Sequence, residues 1–259
     1  VHLAAQAGVR HSFNCPMDYA ESNLSGQVSV FEAARQVSGL KRIVYASSSS
    51  VYSGVSTVPF REEMLLGVPK SLYATTKVSG EVLAETYSEL FGIDTTGLRF
   101  FTVYVPWGRP DMAPMLFADA ILNHRPIKVF NHGQMKRDFT YIDDIVEGVV
   151  RTAMKPATPD TDFDTAAPDS AASNAPFRVF NIGNGQTVPL MDFINALEEA
   201  LGQTAEKEFM EMQPGDVSET YADTKRLKDW VGYQPKTDID MGVSAFVEWY
   251  FSEYQRLKY

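Results

Sequence analysis

The chain of 259 residues reads as an α/β protein built on a parallel sheet with helices on both faces. Two observations predict this class. Short apolar runs rich in β-branched residues alternate with long helical patterns. Polar, serine-rich loops then follow those runs at their carboxyl ends, the edge where open α/β sheets bind ligands. In chain order, Val1-His2-Leu3-Ala4-Ala5 reads as a buried strand. Met17 to about Gln36 reads as a helix, with Ala20, Leu24, Val28, Phe31 and Ala34 at helical spacing. Arg42 to Ala46 is a buried strand, Ser47 to Ser53 its loop, and Ser71 to about Leu90 a second long helix stopped by Gly92. Thr95 to Phe101 is the next strand.

Beyond Tyr104 the pattern loosens. Met115 to Asn123 reads as a helix, Ile127 to Phe130 and Asp138 to Ile142 as strands, and Asp143 to Met154 as a helix. Pro156 to Pro176, rich in Pro, Asp, Ala, Ser and Thr and lacking periodicity, reads as a surface loop. Phe177 to Ile182 is a strand, Leu190 to Leu201 a helix stopped by Gly202, and Asp223 to Val231 and Asp240 to Arg256 the closing helices. The expected organisation is a first domain over 1–104 and a smaller α+β domain over 105–259, with 138–154 and 177–188 returning to the first sheet. The first strand has nothing before it to pair with, so the sequence reads as a piece of a longer protein.

Bulk properties narrow the function classes. A net charge of −10 argues against a nucleic-acid partner and an acidic membrane surface. The single cysteine, Cys15, excludes an internal disulfide framework and fits a reducing, cytoplasmic compartment. The four histidines are scattered, no cysteine–histidine cluster with metal-ligand spacing is read, and no metal is expected. No apolar run reaches the length of a membrane span.

The chemistry centres on Tyr73-Ala74-Thr75-Thr76-Lys77. A tyrosine of ordinary pKa, about 10, is a poor base at neutral pH. A lysine one helical turn away faces the same side, and its charge favours the phenolate. The serine run Ser47 to Ser50 supplies hydroxyls that can share the proton. Alone, the motif is weak, because a chain with 12 tyrosines reaches such a spacing readily by chance.

Ser48 precedes Tyr73, and His2 to Arg10 stands upstream as His-Leu-Ala-Ala-Gln-Ala-Gly-Val-Arg. Downstream stand Gly97 to Tyr104 (Gly-Leu-Arg-Phe-Phe-Thr-Val-Tyr), Arg137 to Asp144 (Arg-Asp-Phe-Thr-Tyr-Ile-Asp-Asp) and Gln213-Pro214-Gly215-Asp216. Jointly, this order resembles the extended short-chain dehydrogenase/reductase family of nucleotide-sugar epimerases and dehydratases. Leu98 to Met112 with Met135 to Ile145 resembles the UDP-glucuronate 4-epimerase branch in particular. The resemblance implies a Rossmann-like doubly wound sheet binding NAD, a smaller C-terminal α+β substrate domain, and a UDP-sugar substrate. It also implies that roughly the first 75 to 80 residues are absent, including the glycine-rich turn that holds the cofactor pyrophosphate. A chain lacking them is expected to hold NAD weakly and to leave central strands without neighbours. A homodimer through the helices 17–36 and 71–90 is implied as well.

Residue roles follow from the resemblance. Tyr73 matches the catalytic base and acid, Lys77 the lysine that contacts the nicotinamide ribose and depresses the tyrosine pKa, and Ser48 the serine that bonds the sugar 4-hydroxyl. Leu3, Ala4, Ala5, Asn23, Ser47, Phe101 and Val103 match cofactor-side positions. On the substrate side, Arg137 matches the arginine on the pyrophosphate and Asp216 the carboxylate on the uridine ribose. Arg10, Ser49, Ser50 and Gln213 are further candidates. Thr102 and Arg109 match positions near a C5 carboxylate, where they would hold it out of the alignment that releases CO₂ from a 4-keto uronate. The implied reaction is C4 inversion through transient oxidation, UDP-glucuronate to UDP-galacturonate. The alternatives are UDP-glucuronate decarboxylation, disfavoured because Ser47 to Val51 holds no glutamate, a neutral UDP-hexose 4-epimerase, which leaves Arg109 unexplained, or an inactive fragment that only dimerises or binds a partner. Val105 stands where the family usually has glycine; if that glycine had positive φ, valine would strain the loop carrying Thr102 and Arg109. Ser53 also replaces a common glycine, and either departure would signal altered activity or a degraded copy of the gene.

Overall fold

The computed structural model describes residues 1–213 and 215–258. In chain order the helices are α1 (His11–Asn14), α2 (Pro16–Tyr19), α3 (Gly26–Arg35), α4 (Leu72–Phe91), α5 (Ala113–Leu122), α6 (Ile142–Met154), α7 (Leu190–Leu201), α8 (Lys225–Val231), α9 (Ile239–Trp249) and α10 (Gln255–Lys258). The strands are β1 (Ile43–Ser48), β2 (Thr95–Phe100), β3 (Thr102–Tyr104), β4 (Ile127–Phe130), β5 (Lys136–Arg137), β6 (Phe139–Tyr141), β7 (Phe177–Ile182), β8 (Val188–Pro189) and β9 (Lys207–Met210). The chain divides into two compact units. The first comprises Val1–Phe101, Glu147–Ile182 and Ala222–Tyr233, and the second Thr102–Val146, Gly183–Tyr221 and Gln234–Tyr259.

Unit 1 is organised by the parallel sheet β1-β2-β7, in which Ser47 pairs with Arg99 and Arg99 with Asn181. Alternation along the strands sends side chains to opposite faces. Ile43, Tyr45, Phe177 and Val179 meet Phe31, Ala84 and Tyr87 of α3 and α4. Phe180 points the other way, its ring 5.7 Å from Trp230 of α8. Both faces are therefore covered, which explains why these strands read as continuous apolar runs.

Several elements differ from the sequence reading. The segment Val1–Ala5 forms a single bridge, His2 to Tyr45, and Leu3 is 56% exposed. Its apolar composition suggested burial, but no described strand flanks its outer edge. The helix expected over 17–36 is continuous in direction but contains a π-helical stretch, Ala20–Ser25. The Pro156 to Pro176 loop is not purely a surface feature. Ala157, Ala171, Ala172 and Ala175 are buried, and Val179 donates to Ala171 O at 2.8 Å, so its end lies along β7. Alanines and short polar residues bury little apolar area each, which hides such a segment from periodicity. The strand at Phe139–Tyr141, expected in the main sheet, pairs with β3 instead. A three-residue run is too short to specify its neighbour.

Unit 2 has short pairs, β3–β6 and β4–β9 parallel and β5–β8 antiparallel. They pack with α5, α7 and α9 around stacked Phe139 and Phe193, centroids 4.5 Å apart, with Tyr104 edge-on to each at 6.2 Å. Phe193 is completely buried, so Phe193→Ala is expected to cost about 3–5 kcal/mol in denaturant unfolding, through lost transfer energy and the cavity left behind.

A polar cross-tie anchors the loop Ser53–Ser71 to the sheet of unit 1. Asn181 donates through Nδ2 to Phe60 O at 2.8 Å and to Asp223 O at 3.1 Å, and accepts from Tyr52 Oη at 2.8 Å. Its backbone N–H donates to Glu62 Oε1 at 2.8 Å. Burial pushes the Glu62 carboxyl up to about 7, against the opposing pull of that N–H, Arg226 and Arg99. The folded state thus binds this proton more tightly than the unfolded chain. Its stabilising contribution is complete below the ordinary glutamate range and is lost as pH rises through about 7. Glu62→Gln keeps the acceptor without the charge. It is expected to flatten the fall in stability over that window and to gain about 1–3 kcal/mol at pH 8 in denaturant unfolding.

Candidate active site

Helix α4 begins at Ser71, whose Oγ accepts from Ala74 N at 3.1 Å, and ends at Gly92 in the left-handed conformation (φ 64°). It packs on β1 and on the 3₁₀ turn Ser49–Tyr52 that follows that strand. The helix therefore brings Tyr73 and Lys77 to the carboxyl end of β1. Lys77 lies in the next turn after Tyr73, with Nζ 5.9 Å from the phenol ring centroid. It is 8% exposed, and Nζ donates to Ala46 O at 2.9 Å and to no other described residue. Burial pushes its pKa down to about 8, while the Glu81 carboxylate pulls it back up. A buried ammonium with three N–H groups and one acceptor among the described residues has donor capacity to spare. That capacity suits ribose hydroxyls and a phenolate, and it is the feature of this structure that fits NAD.

The partners of this pair were not legible in the sequence. Tyr19 is completely buried, its ring edge-on to Tyr73 at 6.1 Å, and its hydroxyl donates to Gly8 O at 2.6 Å. Glu81 and the completely buried Arg99 form a bidentate pair, Nε to Oε1 at 2.9 Å and Nη2 to Oε2 at 2.8 Å. The available signal was a charge inside the apolar run Thr95 to Phe101, since a buried charge demands a partner.

The serine run divides by role. The Ser47 hydroxyl is committed to Glu81 Oε1 and is 3% exposed, so its side chain points into the sheet–helix seam. Ser48 caps the 3₁₀ turn, its Oγ accepting from Ser50 N at 3.2 Å and lying 3.2 Å from Ser50 Oγ. Ser49 and Ser50 are half-buried. Ser53 has φ −59°, and its Oγ accepts from Lys70 N at 3.0 Å, so the position does not need glycine.

Asn23 lies in the π-helical stretch, a local geometry common at functional sites. Its amide bonds both backbone groups of Gln6, Oδ1 from N at 2.7 Å and Nδ2 to O at 3.0 Å, and also Thr76 Oγ1 at 3.0 Å. Asn23 therefore holds the end of the segment Leu3–Ala5, whose side chains are exposed. Arg10 is exposed. Phe101 is buried with Val51, Tyr52, Phe60 and Ala222, and its N–H donates to Ile182 O at 3.1 Å.

Unit 2 carries the remaining candidates. Thr102 and Val103 are half-buried in β3, and Thr102 N donates to Asp138 O at 3.1 Å. The Arg109 fork grips Asp111, Nε to Oδ1 at 2.9 Å and Nη2 to Oδ2 at 2.7 Å. Val105 is not among the positive-φ residues, which removes the strain expected there; Trp107 takes φ 62° instead and packs edge-on to Trp249 at 5.3 Å. Arg137 donates through Nη1 to Lys136 O at 2.8 Å and Ser218 O at 3.2 Å. Burial lowers its pKa, and the charge of Asp216 opposes this, so those two candidates share one electrostatic neighbourhood. Gln213 closes a turn with Asp216, whose N–H donates to its carbonyl at 3.2 Å; Pro214 lies outside the described residues. In the same motif region Asp138 is structural, accepting from Asn184 N at 2.7 Å and Gly185 N at 3.0 Å.

One cluster was passed over in the sequence. His11, Cys15 and Asp18 bring metal-capable atoms within 4.8 Å of one another at the surface. The spacing of four and three residues over adjoining helical turns produces it.

The chain is similar to several known proteins. The family model of the NAD-dependent epimerase/dehydratases matches residues 1–183. Protein CapI of Staphylococcus aureus is 49% identical over 256 residues, covering 99% of this chain and 76% of that protein. A probable UDP-glucuronate 4-epimerase of Rhizobium meliloti is 44% identical over 257 residues, covering 99% and 75%. Among solved structures, UDP-glucuronic acid 4-epimerase from Bacillus cereus, in complex with UDP-glucuronic acid and NAD, superposes with a TM-score of 0.82 at 32% identity, covering 96% of this chain and 74% of that one. No described helix is long and apolar enough to cross a membrane. The chain belongs to the NAD-dependent epimerase/dehydratase family, and NAD is its cofactor.

Proposed function

We propose that the protein inverts C4 of a UDP-sugar, with UDP-glucuronate as substrate and UDP-galacturonate as product, as a homodimer in the cytoplasm. The observation that carries the chemistry is the buried Lys77 ammonium beside the Tyr73 ring at the carboxyl end of β1. The substrate assignment is supported by the relatives bearing the UDP-glucuronate 4-epimerase name.

NAD, when bound, supplies a reversible hydride acceptor for the sugar carbon. The chain supplies the proton chemistry and the positioning. Tyr73 Oη takes the proton of the sugar 4-hydroxyl and returns it to the same oxygen once the sugar has turned to present the other face of C4. Lys77 keeps its charge below about pH 8 and so favours the phenolate, and its remaining N–H groups bond the ribose hydroxyls. Ser48 Oγ orients the 4-hydroxyl, with Ser49 and Ser50 beside it. Leu3, Ala4 and Ala5 offer a small-residue edge to the cofactor, held by Asn23 through Gln6. Phe101 and Val103 contribute cofactor-side backbone, and Ser47 acts through Glu81 rather than directly.

In unit 2, Arg137 takes the pyrophosphate, for which its planar fork is suited, with Gln213 nearby, and Asp216 takes the uridine ribose. Thr102 and Arg109 receive the sugar carboxylate, which exchanges for Asp111 on the guanidinium, and Arg10 is a further substrate-side cation. Holding the nucleotide end firmly and the hexose loosely lets the sugar turn before the proton returns.

The test incubates the NAD-loaded protein with UDP-glucuronate and follows products by chromatography and mass spectrometry. An isomer of unchanged mass supports epimerisation; loss of CO₂ replaces it with decarboxylation. Tyr73→Phe is expected to lower kcat by about 10²–10⁴-fold without loss of fold, and substantial residual turnover removes Tyr73 from the role.

The dimer is proposed on the exposed groove along α3 and α4, lined by Leu24, Val28, Val78, Val82 and Leu83. Val82 is 57% and Val28 37% exposed there, so the groove presents contiguous apolar side chains to solvent. Val82→Arg is expected to convert a dimer to a monomer in light scattering after gel filtration. A dimer that survives the substitution rejects this face.

A further inference from the structure

Resting on the reading above, we propose that Glu81 and Arg99 are positioning residues for proton transfer, a buried clamp that seats the Tyr73–Lys77 helix on the end of β1. Two successive turns of α4 bond two successive residues of that strand. Lys77 Nζ donates to Ala46 O at 2.9 Å, and Glu81 Oε1 accepts from the Ser47 hydroxyl. Neither the rotation nor the sliding of a helix can change while both bonds persist. Tyr73, one turn before Lys77, and Ser48, one residue after Ser47, are carried by the same clamp.

Arg99 completes it from the neighbouring strand. Ser47 and Arg99 are register partners, and both converge on the Glu81 carboxylate. The third guanidinium nitrogen, Nη1, reaches past Glu81 to Tyr52 Oη at 2.6 Å and Glu62 O at 3.2 Å, so the turn after Ser48 is fixed by the same cation. Arg99 is completely buried and Glu81 is 4% exposed. Such a pair is weak evidence for stability, since desolvating two charges offsets much of their attraction. A pair of apolar side chains would fill the space as well. What apolar side chains could not do is bond Ser47, or place a negative charge one turn from Lys77.

That charge matters because Lys77 is itself buried. The groups facing it are Glu81 on its own helix, the Tyr73 ring, and His2 on the segment bridged to Tyr45. Of these, Glu81 is the group whose negative charge holds the ammonium. Without it, Lys77 loses its proton at lower pH and stops favouring the Tyr73 phenolate near neutrality.

The decisive variant is Glu81→Met with Arg99→Met, which removes both charges together and fills the space. Three quantities are read: thermal unfolding, the Lys77 titration by NMR of ¹⁵N-lysine-labelled protein (assigned with Lys77→Met), and kcat and KM of the NAD-loaded protein on UDP-glucuronate. The expected result is a folded protein whose Lys77 titrates at lower pH than in the wild type. Its kcat falls by about 10²-fold, the cost of misplacing reacting groups by roughly an ångström, with KM unchanged. A folded double variant with wild-type Lys77 titration and wild-type kcat overturns the proposal and leaves the pair as packing. Should the double variant not fold, Ser47→Ala cuts the clamp at the strand while leaving the ion pair; lowered kcat at unchanged unfolding temperature supports the proposal, and unchanged kcat overturns it. If even the wild type leaves UDP-glucuronate unconverted, the substrate reading fails alone. The clamp is then decided by the Lys77 titration in the double variant or, where that does not fold, in Glu81→Gln, which keeps the shape and removes the charge; wild-type titration there overturns it.

Discussion

The constraint on which unit 1 depends is the neutralisation of one cation, Arg99, in the middle of a parallel sheet with no access to water. An unpaired buried guanidinium would cost far more than a small unit can supply, so every donor it carries must find an acceptor. The acceptors come from different parts of the chain: the Glu81 carboxylate from α4, the Tyr52 hydroxyl from the turn after β1, and the Glu62 carbonyl from the loop beyond. Satisfying Arg99 therefore brings helix, turn and loop to one place. The carboxyl edge of the sheet, where Ser48, Tyr73 and Lys77 stand, is a consequence of that convergence.

A second theme is the number of polar side chains that work on the backbone. Asn23 bonds both backbone groups of Gln6, Asn181 ties the carbonyls of Phe60 and Asp223, and Asp138 receives the amides of Asn184 and Gly185. Asp144 likewise accepts the amides of Lys236 and Thr237, at 3.0 Å each. Irregular backbone near a sheet edge has no ladder to satisfy it, so side chains take over. Chemistry-bearing residue types are thus common in these motifs for two different reasons, ligand contact and loop order. Arg109 shows the two meeting: its fork orders its own turn through Asp111, and the same fork is suited to a carboxylate ligand.

Much of the fold was legible because the strands of the main sheet are buried on both faces and the long helices have amphipathic spacing. Thr95–Phe100 and Phe177–Ile182 stand where apolar runs predicted them, β1 runs two serines past the expected Ala46 through its pairing with Arg99 and Phe100, and α4 stops at Gly92 as its left-handed cap requires. The reading failed where burial and composition part company. Val1–Ala5 is apolar but exposed, the stretch up to Pro176 is polar and small but buried at its end, and β6 is too short for its pattern to choose a partner. The strain expected at Val105 was a question of backbone angle, which a side-chain pattern does not report; the left-handed residue is Trp107, two positions on.

The sequence by itself determined the class of fold, the family, and the pairing of a phenol with a lysine one turn away, because periodicity and the i to i+4 spacing are properties of the chain alone. Only the tertiary structure decided what surrounds that pair. That Lys77 is buried and its charge defended by Glu81, that Ser47 faces into the seam while Ser48 caps its turn, and that Arg99 holds them together all depend on residues brought from distant parts of the chain. Burial and long-range partners set the protonation and orientation of these groups, and both arise only when the strands and the helix are packed.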